Sequence, residues 1–302
     1  MSRIHEALKK AEQERALSQP GGALEAAATI AEPQINADVR IATPSLHAGP
    51  AAPLTAENVF ARIRQTHWRP DPKTMIFFGN EEHATGMEEF RTLRSRLYQL
   101  RERQSLSKLL ITSPLPKEGK SFTTANLAQV MVRQHGRRAL MIDADMRNPQ
   151  LHELLGAEPG PGLAEYLRGE MDEFSVIQRG PMENLYLLPA GSNTGNPAEL
   201  VANGRMKFLL NRLEPLFDWI VIDSPPAALV SDANLLANYC DGVILVVRSN
   251  NTPMDAARRA RKEFADRNVV GVLLNGISPE LSPYSQYYYS AYAGGASGQA
   301  KN

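Results

Sequence analysis

Cysteine is almost absent from this 302-residue chain. The single thiol, Cys240, excludes an internal disulfide framework and a cysteine zinc cluster, and it suits a reducing compartment. Net charge is absent as well, because 33 Lys and Arg balance 33 Asp and Glu. That balance argues against nucleic acid as a partner of the chain as a whole. No apolar run approaches the roughly 20 residues that cross a bilayer, and the N-terminus has no apolar stretch of the signal-peptide kind. The six histidines are scattered, without HExxH or similar metal-ligand spacing. What remains is the expectation of a soluble, cytoplasmic protein whose 43% hydrophobic content supplies a sizeable core.

Composition then divides the chain. Residues 1–17 predict an amphipathic helix, with Ser2 as cap and Ile4, Leu8 and Ala11 on one face. Residues 18–74 are expected to be a flexible Ala/Pro-rich linker; between Ser18 and Ala56, 19 of 39 residues are Ala, Pro or Gly. Residues 75–278 alternate apolar runs with helical patterns, and residues 279–302 read as a flexible Tyr-rich tail. Within 75–278 the runs predict strands at Leu109–Thr112, Ala139–Asp143, Leu185–Leu188, Trp219–Asp223, Val243–Val247 and Val270–Leu274. Helices are predicted at Met87–Arg103, Lys120–Gln134, Arg205–Leu216, Asp232–Tyr239 and Pro253–Asp266. Near-continuous Leu/Ile/Val strands are those of an α/β fold, a mostly parallel sheet flanked by helices on both faces. Cys240 and Trp219 read as packing residues.

The segment 108–132 is a strand, a loop and a helix in that order, with Gly119-Lys120-Ser121 where the helix begins. Successive N–H groups at such a helix start cradle an anion. In that setting Lys120 reaches the β/γ-phosphates and the Ser121 hydroxyl ligates Mg²⁺. The usual GxxxxGK[ST] pattern wants glycine at 114, and this chain has Pro114. Two further segments strengthen the assignment: ALMIDADMRNP ends in Asp143, Asp145 and Arg147, and DWIVIDSPP ends in Asp223 and Pro226. Acidic residues at the carboxyl ends of parallel strands border the ligand crevice of open α/β sheets. Together the three segments point to ATP with Mg²⁺.

These residues resemble the bacterial tyrosine kinases (BY-kinases), the autokinases of capsule and exopolysaccharide synthesis. The phosphate loop matches as Ser113-x-x-Pro116-x-x-Gly119-Lys120-Ser121, the second motif as Asp143, Asp145 and Arg147, and the Walker B segment as Asp223 and Pro226. The resemblance covers about residues 80–292 and implies a P-loop NTPase fold over 75–278. It implies that Pro116, Lys117, Glu118, Gly119, Lys120, Ser121 and Phe122 bind the nucleotide phosphates; Asn275, at the end of the last strand, is expected to face the adenine, as similar asparagines do in related P-loop ATPases. Ser121, Asp145 and Asp223 would hold Mg²⁺; Lys120, Asp143 and Asp145 would be catalytic, with Asp143 orienting the tyrosine hydroxyl or accepting its proton. No HRD, DFG or VAIK segment is present, which excludes the eukaryotic-type kinase mechanism.

Glu88, Arg91 and Arg94 fall at i, i+3 and i+6 of a predicted helix. Alone they fit a solvated charged face; the resemblance makes them the contact of a ring-like homo-oligomer. Five of the nine tyrosines, Tyr284, Tyr287, Tyr288, Tyr289 and Tyr292, fall within nine residues. Alone they fit a low-complexity tail or an aromatic membrane-interface patch; the resemblance makes them an autophosphorylation cluster. It further implies a transmembrane polysaccharide chain-length regulator (co-polymerase) that recruits the protein to the inner face of the plasma membrane, and a tyrosine phosphatase. Two rivals remain. One is a partition or septum-site ATPase switch, whose signature lysine would fall at Leu115, with Lys117 two residues late. The other is a weakly catalytic, nucleotide-dependent scaffold for a membrane partner.

Overall fold

The computed structural model describes residues 56–78, 86–192 and 195–277, all within the compact unit Ala52–Asn302. The expected helix at 1–17, most of the linker and the tyrosine tail lie outside the described residues. Eight strands form one sheet: β1 (Arg64–Gln65), β2 (Lys108–Thr112), β3 (Ala139–Asp143), β4 (Gln178–Arg179), β5 (Leu185–Leu188), β6 (Trp219–Asp223), β7 (Gly242–Arg248) and β8 (Val269–Asn275). Their order is β1-β4-β5-β3-β6-β2-β7-β8. From β5 through to β8 every neighbour is parallel, while β4 runs antiparallel to β5.

Helices cover both faces, and the strands show why. β2, β3, β5 and β6 are buried at every residue. Their side chains alternate between two cores: Leu110, Leu140, Ile142, Tyr186, Leu188, Ile220 and Ile222 enter one, and Leu109, Ile111, Met141, Leu187, Trp219 and Val221 the other. A strand apolar at every position needs an apolar layer on each side. Trp219 is fully buried, edge-on to Tyr98 with 5.4 Å between ring centroids, and its indole N–H donates to the Tyr98 hydroxyl at 3.1 Å. Cys240 is half-buried against the first core, and burial pushes its thiol pKa up. The six expected strands and five expected helices are present, with ends moved by no more than three residues. The short helices Leu151–Leu155, Leu163–Arg168, Glu173–Val176 and Pro197–Ala202, and strands β1 and β4, have too few residues to show a period in sequence.

The linker boundary needs correction. Residues 56–74 are not linker: Ala56–Arg62 is helical, and Val59, Ile63, Thr66 and Trp68 are buried. Phe60 packs on Tyr186 and Phe217 at 5.3 and 5.6 Å between ring centroids, and the Arg138 guanidinium lies over it at 4.5 Å. The Trp68 ring lies on Gly180, where an added Cβ would come within 2.3 Å of it. A handful of large apolar residues without a regular period therefore suffices to anchor this stretch. The strap then crosses to the helix Lys120–Val132, where Asn126 accepts from the Ile76 N–H at 3.0 Å and donates to the Thr74 carbonyl at 2.9 Å.

Candidate active site

The strand order brings the three motif-bearing strands together. β6 lies between β3 and β2, with Asp223 paired in register with Asp143 on one side and Ile111 on the other. The loop after β2 is tied to the loop after β6: the Thr112 hydroxyl donates to Pro225 O at 3.0 Å, and Ala227 N donates to Ser113 O at 2.8 Å. Within the phosphate loop, Lys117 (φ 64°) and Gly119 (φ 93°) are both left-handed. For a lysine that conformation costs energy and is held by its surroundings. Here the Arg248 guanidinium donates to Lys117 O at 3.1 Å, and Asn275 Nδ2 donates to Glu118 O at 2.9 Å. Glu118 is fully buried: its carboxylate accepts from Leu115 N at 3.0 Å and from the Thr252 hydroxyl. Pro116 and Lys117 lie towards solvent at the loop's tip.

At the start of the following helix, Lys120 Nζ pairs with Asp145 at 2.8 Å and lies 4.0 Å from Asp223, with the Ser121 hydroxyl at 3.4 Å. All four side chains are buried. Burial by itself would lower the Lys120 pKa, but Asp223 and Asp145 more than offset it and hold the ammonium charged. Burial pushes Asp223 up to about 6 against the pull of Lys120. Among the described residues neither Asp223 oxygen has a hydrogen-bond partner, a costly state for a buried carboxylate. An orphaned carboxylate beside a hydroxyl and a second carboxylate offers the hard oxygen donors that Mg²⁺ takes, so these residues fit the ion. Asp143 is fully buried too. Its Oδ2 accepts from Gln150 N (3.0 Å) and Leu151 N (2.9 Å), its Oδ1 from Asp145 N (3.3 Å), and burial together with Asp223 raises its pKa well above the ordinary value.

Other expected residues fall elsewhere. Asn275 lies against Gly119, where an added Cβ would come within 2.0 Å of its amide nitrogen, so its side chain braces the loop. Glu88 pairs with Arg91 on the exposed face of the helix Met87–Arg101, whereas Arg94 turns inward and donates to Val130 O at 3.0 Å. The three therefore do not present one free face. The five tail tyrosines lie outside the described residues. Sequence reasoning missed Arg248 and Thr252, which become loop braces only because β7 sits beside β2. It also missed Asp232, buried and bound bidentately by Arg147 at 2.9 and 3.2 Å. A cavity of about 500 Å³ between Arg101 and Phe217 opens at the other end of β2, beside Ser107, away from this chemistry.

Known proteins share this sequence pattern and fold. The family described as an AAA domain matches residues 118–260. Tyrosine-protein kinase YwqD of Bacillus subtilis is 34% identical over 211 residues, 69% of this chain and 88% of that one. The chain spans only 29% of the longer tyrosine-protein kinase wzc of Salmonella typhimurium, at 32% identity over 209 residues. The solved kinase domain of the Escherichia coli tyrosine kinase ETK superposes with a TM-score of 0.63 at 30% identity, covering 69% of this chain and 83% of that domain. Sharing the fold of the ETK domain and most of the length of YwqD, the chain belongs to the family of bacterial tyrosine-protein kinases.

Proposed function

We propose that this protein is an ATP-dependent tyrosine autokinase that phosphorylates the tyrosines at 284, 287, 288, 289 and 292 in trans, within a homo-oligomer that regulates polysaccharide synthesis and export. The observation that carries the reading is the buried Lys120–Asp145–Asp223 group on adjacent strand ends, at the start of a phosphate-loop helix. ATP supplies the phosphoryl group and Mg²⁺ offsets its charge. Phosphoryl transfer passes through a loose transition state, so positioning and charge neutralisation matter most. Lys120, paired with Asp145 here, would turn to the phosphates, and Ser121, Asp145 and Asp223 would then hold Mg²⁺, directly or through water. Asp143 serves the tyrosine proton if one of its backbone amides gives way; its raised pKa suits a proton acceptor.

A transmembrane chain-length regulator recruits the protein to the inner face of the plasma membrane, and a tyrosine phosphatase reverses the modification. Support for these partners comes from the likeness to named tyrosine kinases, one of them in a cps region. The test is to incubate purified protein with Mg·ATP and probe for phosphotyrosine, beside Lys120→Met. The expected result is modification that Lys120→Met abolishes without loss of fold, because a neutral side chain cannot offset charge on the transferring oxygens. Undiminished phosphotyrosine in the variant overturns the site assignment. Nucleotide binding without any phosphotyrosine would leave the scaffold reading.

A further inference from the structure

β8 closes one end of the sheet, and among the described residues no strand lies along its outer edge. Natural edge strands are blunted by charge, proline or brevity. β8 has none of these among its seven residues, VVGVLLN. Val272 and Leu274, two apart and so on one face, are 61% and 52% exposed, and Ile277 just beyond is 44% exposed. Val272 and Leu274 extend an apolar row begun by their β7 register partners Leu245 and Val247. Gly276 is left-handed (φ 68°), so the chain turns as it leaves the strand.

We propose that this edge is the resting dock of the chain's own tyrosine-rich segment, residues 284–292, added to β8 as an antiparallel strand. Sequence proximity favours this occupant. The 25 residues Ser278–Asn302 come after Ile277, and only the eight residues Gly276–Pro283 separate β8 from Tyr284. A connection that short closes a hairpin and is too short for a parallel crossover. Tyrosine is a strong strand former, and 284–292 contains no charged residue and no proline. Period-two alternation puts Tyr284, Tyr288 and Tyr292 on one face and Tyr287 and Tyr289 on the other. In either register, aromatic rings therefore lie across from Val272 and Leu274, a favourable cross-strand pairing.

The consequence rests on the proposed kinase reading: docked tyrosines are withheld from a catalytic site, and each phosphate adds roughly −1.5 to −2 charge, which the apolar strip rejects. Phosphorylation would then keep the segment off the edge.

Docking itself is tested without nucleotide, by hydrogen exchange of the full chain read by mass spectrometry. Peptides covering β8 and 284–292 should both exchange at least about tenfold slower than an unstructured chain. Leu274→Lys, at an exposed position, and Tyr288→Pro should each abolish the protection of 284–292. Light scattering should show the same mass across the concentration range in which protection is seen. Exchange of 284–292 at the unstructured rate overturns the proposal. So does protection that grows with concentration as the mass doubles, which would assign the edge to a second copy. Loss of protection after Mg·ATP treatment supports the consequence. Absence of phosphotyrosine counts against the kinase reading alone, since the nucleotide-free exchange has already decided the docking.

Discussion

Replacing Asn126 by alanine should loosen the strap from the helix that starts the phosphate site. Asn126 is fully buried; it accepts from Ile76 N at 3.0 Å and donates to Thr74 O at 2.9 Å, across about fifty residues of chain. The alanine variant leaves the buried Ile76 N–H without a partner, which costs about 1–3 kcal/mol. Thr74 is only half-buried, so water recovers part of its bond and the further loss is about 0.5–1 kcal/mol. The better helix propensity of alanine returns roughly 0.5 kcal/mol. The net expectation is a loss of about 1–3 kcal/mol, read as a lowered urea midpoint at unchanged slope. Asn126→Asp should cost at least as much, because it retains an acceptor for Ile76 but sets a buried carboxylate against the Thr74 carbonyl. Trypsin should cut faster after Lys73, which is exposed in the strap and followed by Thr74. A loss below about 0.5 kcal/mol with unchanged cleavage would refute the anchoring role.

Asp223→Asn should make nucleotide binding indifferent to Mg²⁺ and yet stabilise the metal-free protein at pH 8 by on the order of 1–3 kcal/mol. A carboxyl raised to about 6 contributes stability below its ordinary 3.8 that is lost as pH rises through 6. A lower Tm for the variant at pH 8 in EDTA would contradict this. Glu165 runs the other way. Burial would raise its pKa, but hydrogen bonds from Ser192 and the Gly162 amide hold it at about 2. Its contribution is present above 4.5 and lost as pH falls towards 2, so Glu165→Gln should flatten acid unfolding over that range; an unchanged acid limb argues against it. If Arg91 contributes to self-association, Arg91→Ala should lower the mass seen by light scattering while Tm stays put, whereas Arg94→Ala should also lower Tm through its lost bond to Val130 O. Equal masses for wild type and both variants would remove this helix from the interface.

Much of the site was legible in sequence because its chemistry is local. Gly119-Lys120-Ser121 opens a helix whatever lies beside it, and Asp143 and Asp223 end runs so apolar that only a strand covered on both faces accommodates them. Helix and strand periods are short-range properties, so the principal elements could be placed from residues alone. Strand order is not short-range. That β6 slots between β2 and β3, making three distant motifs into one group, and that β7 brings Arg248 and Thr252 to the phosphate loop, was decided by how the layers pack. The same holds for burial. Val270–Leu274 reads in sequence like any interior strand, and only its place at the sheet's end exposes Val272 and Leu274. The strap shows the converse, since its few apolar residues carry no period and Trp68 finds its place only against Gly180 on another strand's flank. Residue types determined which chemistry was available. Long-range packing determined which of those residues meet, because contacts between segments a hundred residues apart depend on the whole sheet closing around them.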